Sequence, residues 1–275
     1  VVVDPAGTAN RFASRRFQLC NGLFAEGDWV SSLLQLPLKK ALFARLGAMK
    51  ALNPDEIAIL HAIEARPPRT YRADSHMLGE GVEISMAHAI LSGWACRVRQ
   101  LADGRRQIIE ILLPGDTVGL CARQRPLSLT NVIALTSVRT VEAHELSTVL
   151  RDPDNLPDLG AALEIAAAEE EFYLLAQIVR LGRQTAYERI AHFFCELECR
   201  LAARDMIVAG SFPMPMTQEA IADSVGLSVV HVNRTLQQMR RERAIDLSKG
   251  RLQIFDQAAF RAAGEFVAPT VCAAA

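Results

Sequence analysis

The residues best suited to chemistry lie in one stretch, TQEAIADSVGLSVVHVNRTLQQMRRER at positions 217–243. Thr217 is placed to cap a first helix whose inner face is Ala220, Ile221 and Val225. Gly226 supplies a permissive turn, and Ser228 is placed to cap a second helix. In that helix Val229, Val232, Leu236 and Met239 recur at spacings of three and four, giving one apolar stripe. The other side carries His231, Asn233, Arg234, Gln237, Gln238 and Arg241. Amides and guanidiniums on an exposed helix are the groups that pair with base edges and phosphates. The pattern is that of a helix-turn-helix with a reading helix. Two short alternating runs then flank Lys249-Gly250, which predicts a β-hairpin, so the unit reads as a winged helix. From Arg234 to Arg251 there are six Arg/Lys against two acids, a basic patch within a chain of net charge −1.

Other chemistries have weaker claims. No GxGxxG, phosphate loop, nucleophile elbow or HExxH occurs, and Asp, Glu and His residues are dispersed, so no catalytic residue is assigned. The six cysteines (20, 96, 121, 195, 199 and 272) form no close-spaced framework and are expected to be thiols. Cys195 and Cys199 lie one turn apart and read as packing residues rather than a metal or redox pair. No metal and no cofactor is assigned.

The elements that must position the reading helix follow from periodicity. With 275 residues, half of them hydrophobic, the chain is long enough for more than one domain. No run approaches the 18 or more apolar residues of a membrane span. The opening Val1-Val2-Val3 lacks the charged start and apolar region of a signal peptide, so a cytoplasmic protein without membrane contact is expected. Residues 1–50 read as a partly helical extension. Asn53-Pro54-Asp55-Glu56 is a helix start of capping-box type. Within a candidate sensor domain at 51–150, the period from Pro67 to about Leu146 becomes that of strands separated by Gly-centred turns, which predicts a small antiparallel barrel or jelly roll able to enclose a ligand. Residues 151–182 read as one long helix, acidic at its start and broken at Gly182. Leu159, Leu163, Ala167, Leu174, Ile178 and Leu181 form its candidate seam for a second copy across a two-fold axis. Residues 183–260 hold the winged helix, and 261–275 form a tail.

Five stretches together carry a family resemblance: LSGWACR at 91–97, DGRRQI at 103–108, LPGD at 113–116, GRQTAYER at 182–189 and GLSVVHVNRT at 226–235. In these the chain resembles the Crp/Fnr superfamily of bacterial transcription regulators over about residues 50–260, in wording similar to an alphaproteobacterial subgroup. The resemblance implies an α+β chain with an N-terminal cyclic-nucleotide-binding-type antiparallel β-barrel (jelly roll), a long dimerisation helix and a C-terminal winged helix-turn-helix. It further implies a homodimer on palindromic promoter sites in double-stranded DNA, with RNA polymerase as a partner if the protein activates. Arg234 matches the arginine that family members direct at a guanine, with Asn233 and His231 beside it. Val229 and Val230 stand where classical members place Arg or Glu, so a different operator is expected. Thr217, Gln218, Ser228, Arg241, Lys249 and Arg251 are the expected phosphate contacts.

The effector loop departs from the family pattern. Members that bind cyclic AMP begin the phosphate cassette with Gly-Glu and close it with Arg-Ser. Here the loop runs through Gly119, Leu120 and Cys121 to Thr130 and Asn131, with no arginine immediately before the following strand. A buried phosphodiester without a cationic partner costs several kcal/mol, so cyclic AMP is not the expected signal. Arg123 and Arg125 lie nearby on what reads as a surface loop. Two alternatives stay open: a cyclic-nucleotide-, redox- or metal-responsive member of the same family, and a ligand-binding or protein-interaction module with a degenerate DNA reader.

Overall fold

The computed structural model describes residues 40–269. The expected extension before residue 40, with Cys20, and the end of the tail, with Cys272, lie outside the described residues. The chain opens with α1 (Ala41–Gly47) and α2 (Pro54–Glu64). At α2 the expected capping box forms: the Asn53 side chain accepts from the amides of Asp55 and Glu56, and Glu56 Oε2 accepts from Asn53 N at 3.0 Å. The second Glu56 oxygen accepts from Leu159 N at 2.9 Å, so one buried carboxylate caps two helices.

Eight short strands follow: β1 (Arg69–Tyr71), β2 (His76–Leu78), β3 (His88–Ser92), β4 (Ala95–Gln100), β5 (Arg106–Leu112), β6 (Thr117–Val118), β7 (Asn131–Ala134) and β8 (Val138–Glu142). Here the expected closed barrel is corrected. The strands form two separate four-stranded antiparallel sheets, in the orders β1-β8-β3-β6 and β2-β7-β4-β5. The chain passes between sheets at turns rather than by hydrogen bonds between edges. At one of these, Gly93 (φ 85°) packs so closely on Ser137 O that a Cβ would lie 2.1 Å from it. Edge strands β1, β2 and β6 are only two or three residues long, too short to close the ring. Edge strand β5 is covered by helices instead. Where the sheets face each other, Tyr71, Ile90, Ala95, Leu112, Val118, Val132, Ala134 and Val138 form an apolar core.

After β8 the chain enters α3 (His144–Arg151), a helix too short to stand out by periodicity, and a short 3-10 turn at Pro153–Asn155. The long helix α4 (Pro157–Arg183) runs through Gly182 and ends only at Gln184, so Gly182 does not break it. Thr185 then caps α5 (Ala186–Ala202) in a second capping box with Glu188. Strand β9 (Ser211–Pro213) leads into α6 (Gln218–Val225) and α7 (Val229–Arg241), followed by β10 (Ile245–Ser248), β11 (Arg251–Ile254) and α8 (Gln257–Ala263). One apolar cluster runs from Trp94, just before β4, and Ile111 of β5, through Phe193, Phe194 and Leu197 of α5, to Val232, Leu236 and Met239 of α7. Beneath it lies a buried charge network. Asp116 meets Arg45 at 3.4 Å, Arg200 at 3.0 Å and Arg204 at 2.5 Å, tying the turn after β5 to α1 and α5. Burial pushes the Asp116 carboxyl up, but Arg204, Arg200 and Arg45 outweigh it and hold it far below the usual range.

Candidate nucleic-acid interface

The turn between α6 and α7 is fixed by local chemistry. Thr217 Oγ1 accepts from Ala220 N at 3.1 Å, and Ser228 Oγ accepts from His231 N at 3.2 Å. Gly226 ends α6 in the left-handed region (φ 65°), where an L side chain is strained. With Val232, Leu236 and Met239 fully buried, α7 has only one way to face. It turns Val230, Arg234, Gln237 and Arg241 to solvent, residues that share one side of the helix.

The expected base-reading residues thus come together only in part. Val230 is 80% exposed and Val229 43%, and Arg234 is exposed with no ion pair among the described residues. Asn233 and His231 are half-buried: Asn233 Oδ1 accepts from Gln237 Nε2 at 3.1 Å, and the His231 carbonyl accepts from Thr235. Of the expected phosphate contacts, Thr217, Ser228, Arg241 and Lys249 are exposed, and Gln218 is half-buried. Lys249-Gly250 forms the two-residue hairpin turn with both residues at positive φ, 49° and 68°. Arg251 is differently employed. Its Nε donates to Ser211 Oγ at 2.9 Å and its Nη2 to Ser211 O at 2.6 Å, so it braces β11 against β9.

Sequence reasoning missed how the reader is held. The carbonyl of Ser224, at the end of α6, accepts from Gln177 of α4 at 2.8 Å and from Gln107 of β5 at 3.2 Å. Arg189 donates to Val225 O at 3.3 Å, and Arg106 of β5 donates to Asp223 at 2.5 Å. The last carbonyls of a helix have no internal partner. Here the β4–β5 hairpin and the long helix supply donors. The DGRRQI stretch contains two of these donors, but nothing in its pattern names their partner.

The candidate seam of α4 divides. Leu159 and Leu163 are buried in this chain's own cluster with Leu42 and Leu60, and Leu181 is half-buried, within 2.8 Å of where a Gly226 Cβ would lie. Leu174 is half-buried. The apolar residues that α4 leaves open are Ile178 at 67%, Leu175 at 57% and Val179 at 55%, with Ala167 exposed two turns earlier.

The expected effector residues have different surroundings. Leu120 packs on the Leu42 cluster, Asn131 Oδ1 accepts from Glu80 N at 3.1 Å, and Thr130 O accepts from Ser128 Oγ. Gly119 and Cys121 line a surface cavity. Cys195 is buried, and burial pushes its thiol up to about 12; Cys199 shifts the same way for the same cause. No group of three or more His, Cys, Asp or Glu able to hold a metal occurs among the described residues. Nor is any described helix long and apolar enough to cross a membrane.

Comparison with known proteins matches residues 188–263 to the Crp-like helix-turn-helix domain and residues 68–148 to the cyclic nucleotide-binding domain, together more than half of the chain. The transcriptional activator protein FnrL of Cereibacter sphaeroides is 28% identical over 201 residues, 71% of this chain and 78% of that one. The nitrogen fixation regulation protein FixK of Azorhizobium caulinodans is 27% identical over 195 residues, 70% of this chain and 77% of its own. The structure of FixK2 from Bradyrhizobium japonicum superposes with a TM-score of 0.61 at 27% identity, covering 74% of this chain and 98% of that one.

Proposed function

Because the chain belongs to the Crp/Fnr superfamily of DNA-binding transcription regulators, we propose that it acts as a cytoplasmic homodimer on two-fold promoter sites, with α7 of each copy in the major groove. In this reading residues 51–150 are the sensor portion, 151–182 the dimerisation segment and 183–260 the reader. The protein is a transcription factor rather than an enzyme. The observation that carries the proposal is the exposed face of α7: Val230, Arg234, Gln237 and Arg241 face outward from a helix that buries Val232, Thr235, Leu236 and Met239 on its other side. Arg234 donates in a fork to guanine O6 and N7, and Val230 meets a thymine methyl. The free amides at the Ser228 end receive a phosphate, as do Thr217 and Gln218, while Arg241 and Lys249 neutralise the backbone.

A stripe of three large apolar side chains on α4, each more than half exposed, supports the dimer. The FnrL relative is described as a transcriptional activator, which supports contact with RNA polymerase. The sensor's signal is undetermined; the cassette loop offers no cyclic-AMP arrangement. The test is fluorescence anisotropy on a mixed-sequence duplex across a salt series. Arg241→Ala and Lys249→Ala each lower the slope of log K against log salt by about 1 for each phosphate left unneutralised. Unchanged slopes in both variants would turn this face away from DNA.

A further inference from the structure

A cavity of about 440 Å³ opens on the sensor portion between α3, the loop after β6 and the segment before β3. Its size falls in the range of small-molecule pockets. No residue of α4 lines it. Of the expected effector residues, Gly119 and Cys121 line it.

Helix α3 contributes His144, Ser147, Thr148 and Arg151, at spacings of three, four and seven, so a single polar stripe faces the cavity. Leu146 and Val149, on the opposite side, are buried and fix the helix in that orientation. The loop contributes Arg123 and Arg125, and is pinned across the cavity by Ile84 N donating to Pro126 O at 2.8 Å. The lining thus carries three guanidiniums against one carboxylate, Glu83, which lies 3.7 Å from Arg125. Neither Arg123 nor Arg151 has a carboxylate partner among the described residues. Arg151 donates to Thr148 Oγ1 at 3.3 Å, and Arg123 Nε donates to Cys121 Sγ at 3.2 Å. An arginine fork without a protein carboxylate is the group that takes a carboxylate or phosphate in two parallel hydrogen bonds. The hydroxyls of Ser147 and Thr148 add neutral donors beside it.

We propose that this cavity binds a small oxyanion, a phosphate or carboxylate compound, with Arg151 and Arg123 as its cationic partners and the Ser147 and Thr148 hydroxyls completing its hydrogen bonds. The site is carried by its own geometry and does not depend on the DNA reading.

Cys121 on the cavity wall serves as the reporter. Partial burial pushes its thiol up, but hydrogen bonds from Arg123 outweigh this and the net shift is downward, toward a thiol that alkylates readily. The experiment pulses the full-length protein with iodoacetamide in phosphate-free buffer and follows the Cys121 peptide by mass spectrometry. Pyrophosphate and citrate are the two probes, and sodium chloride at equal ionic strength is the control. A probe held with a Kd of about 1 mM slows alkylation about sixfold at about 5 mM. Arg151→Ala, which leaves the Arg123–Cys121 pairing in place, abolishes that protection while the alkylation rate without probe stays the same. Protection by pyrophosphate alone or citrate alone assigns the ligand to the phosphate or the carboxylate class. The proposal is overturned if neither probe slows Cys121 more than sodium chloride does, or if Arg151→Ala is protected as well as the parent protein. Mixed-sequence DNA affinity, measured on the same samples, shows separately whether the reader is intact.

Discussion

Replacing Ile178 by alanine tests the proposed dimer role of the long helix apart from its role in the chain's own core. Ile178 is 67% exposed in the single chain, whereas Leu159 on the same helix is 0% exposed. Burying a whole isoleucine side chain contributes about 1.5–3 kcal/mol, so burial of the exposed two thirds contributes about 1–2 kcal/mol per copy. A two-fold interface contains the residue twice, and alanine retains only the β-carbon. The expected loss is about 2–3 kcal/mol per dimer, a weakening of the dimer constant by about 30- to 150-fold. Sedimentation equilibrium over a concentration series measures this directly, and urea unfolding of the dissociated protein should show little change. Leu159→Ala has the opposite signature. It leaves a cavity in the core with Leu42 and Leu60 and costs about 2–5 kcal/mol of folding stability, while the surface between copies stays intact. A dimer constant unchanged by Ile178→Ala would refute the assignment of the exposed stripe to the two-fold interface.

Two further outcomes are expected. Ser228→Ala removes the hydroxyl that accepts from His231 N and should cost about 1 kcal/mol in urea unfolding, since alanine cannot cap the reading helix. Burial pushes the Glu110 carboxyl up to about 7 against the pull of Arg97, above its ordinary value of 4.5. A raised carboxyl contributes stability that is fully present below about pH 4.5 and lost as pH rises through about 7. Glu110→Gln, fixed neutral, should therefore gain stability relative to the parent at about pH 8 compared with about pH 5; an equal difference at both values would contradict the shift.

What could be read from the sequence was what is encoded locally. The caps at Asn53, Thr217 and Ser228, the Gly226 turn and the Lys249-Gly250 hairpin each rest on residues a few positions apart, and each formed. Strand period and Gly turns located most of the strands but not whether their edges meet. That depends on edge-strand length and on which helix covers β5, so two open sheets replaced the barrel. The seam of α4 was misplaced in part because periodicity marks an apolar stripe without naming what covers it. Leu159 and Leu163 look like Ile178 in sequence, yet they are buried against α1 and α2. Arg251 is as basic as Lys249, but a long-range partner, Ser211, occupies its guanidinium. The donors on Ser224 come from Gln107 and Gln177, 117 and 47 positions away, beyond any local pattern.

The central claim is that Arg234 reads a base from the exposed face of α7. Selection of the purified protein and of Arg234→Ala against a random duplex library tests it directly. The parent protein should recover a two-fold site with half-sites about one helical turn apart. The variant should lose about 1–3 kcal/mol of discrimination at one G·C pair in each half-site and keep its preferences elsewhere. Recovery of no two-fold site, or loss spread evenly over every position in the variant, would contradict that role.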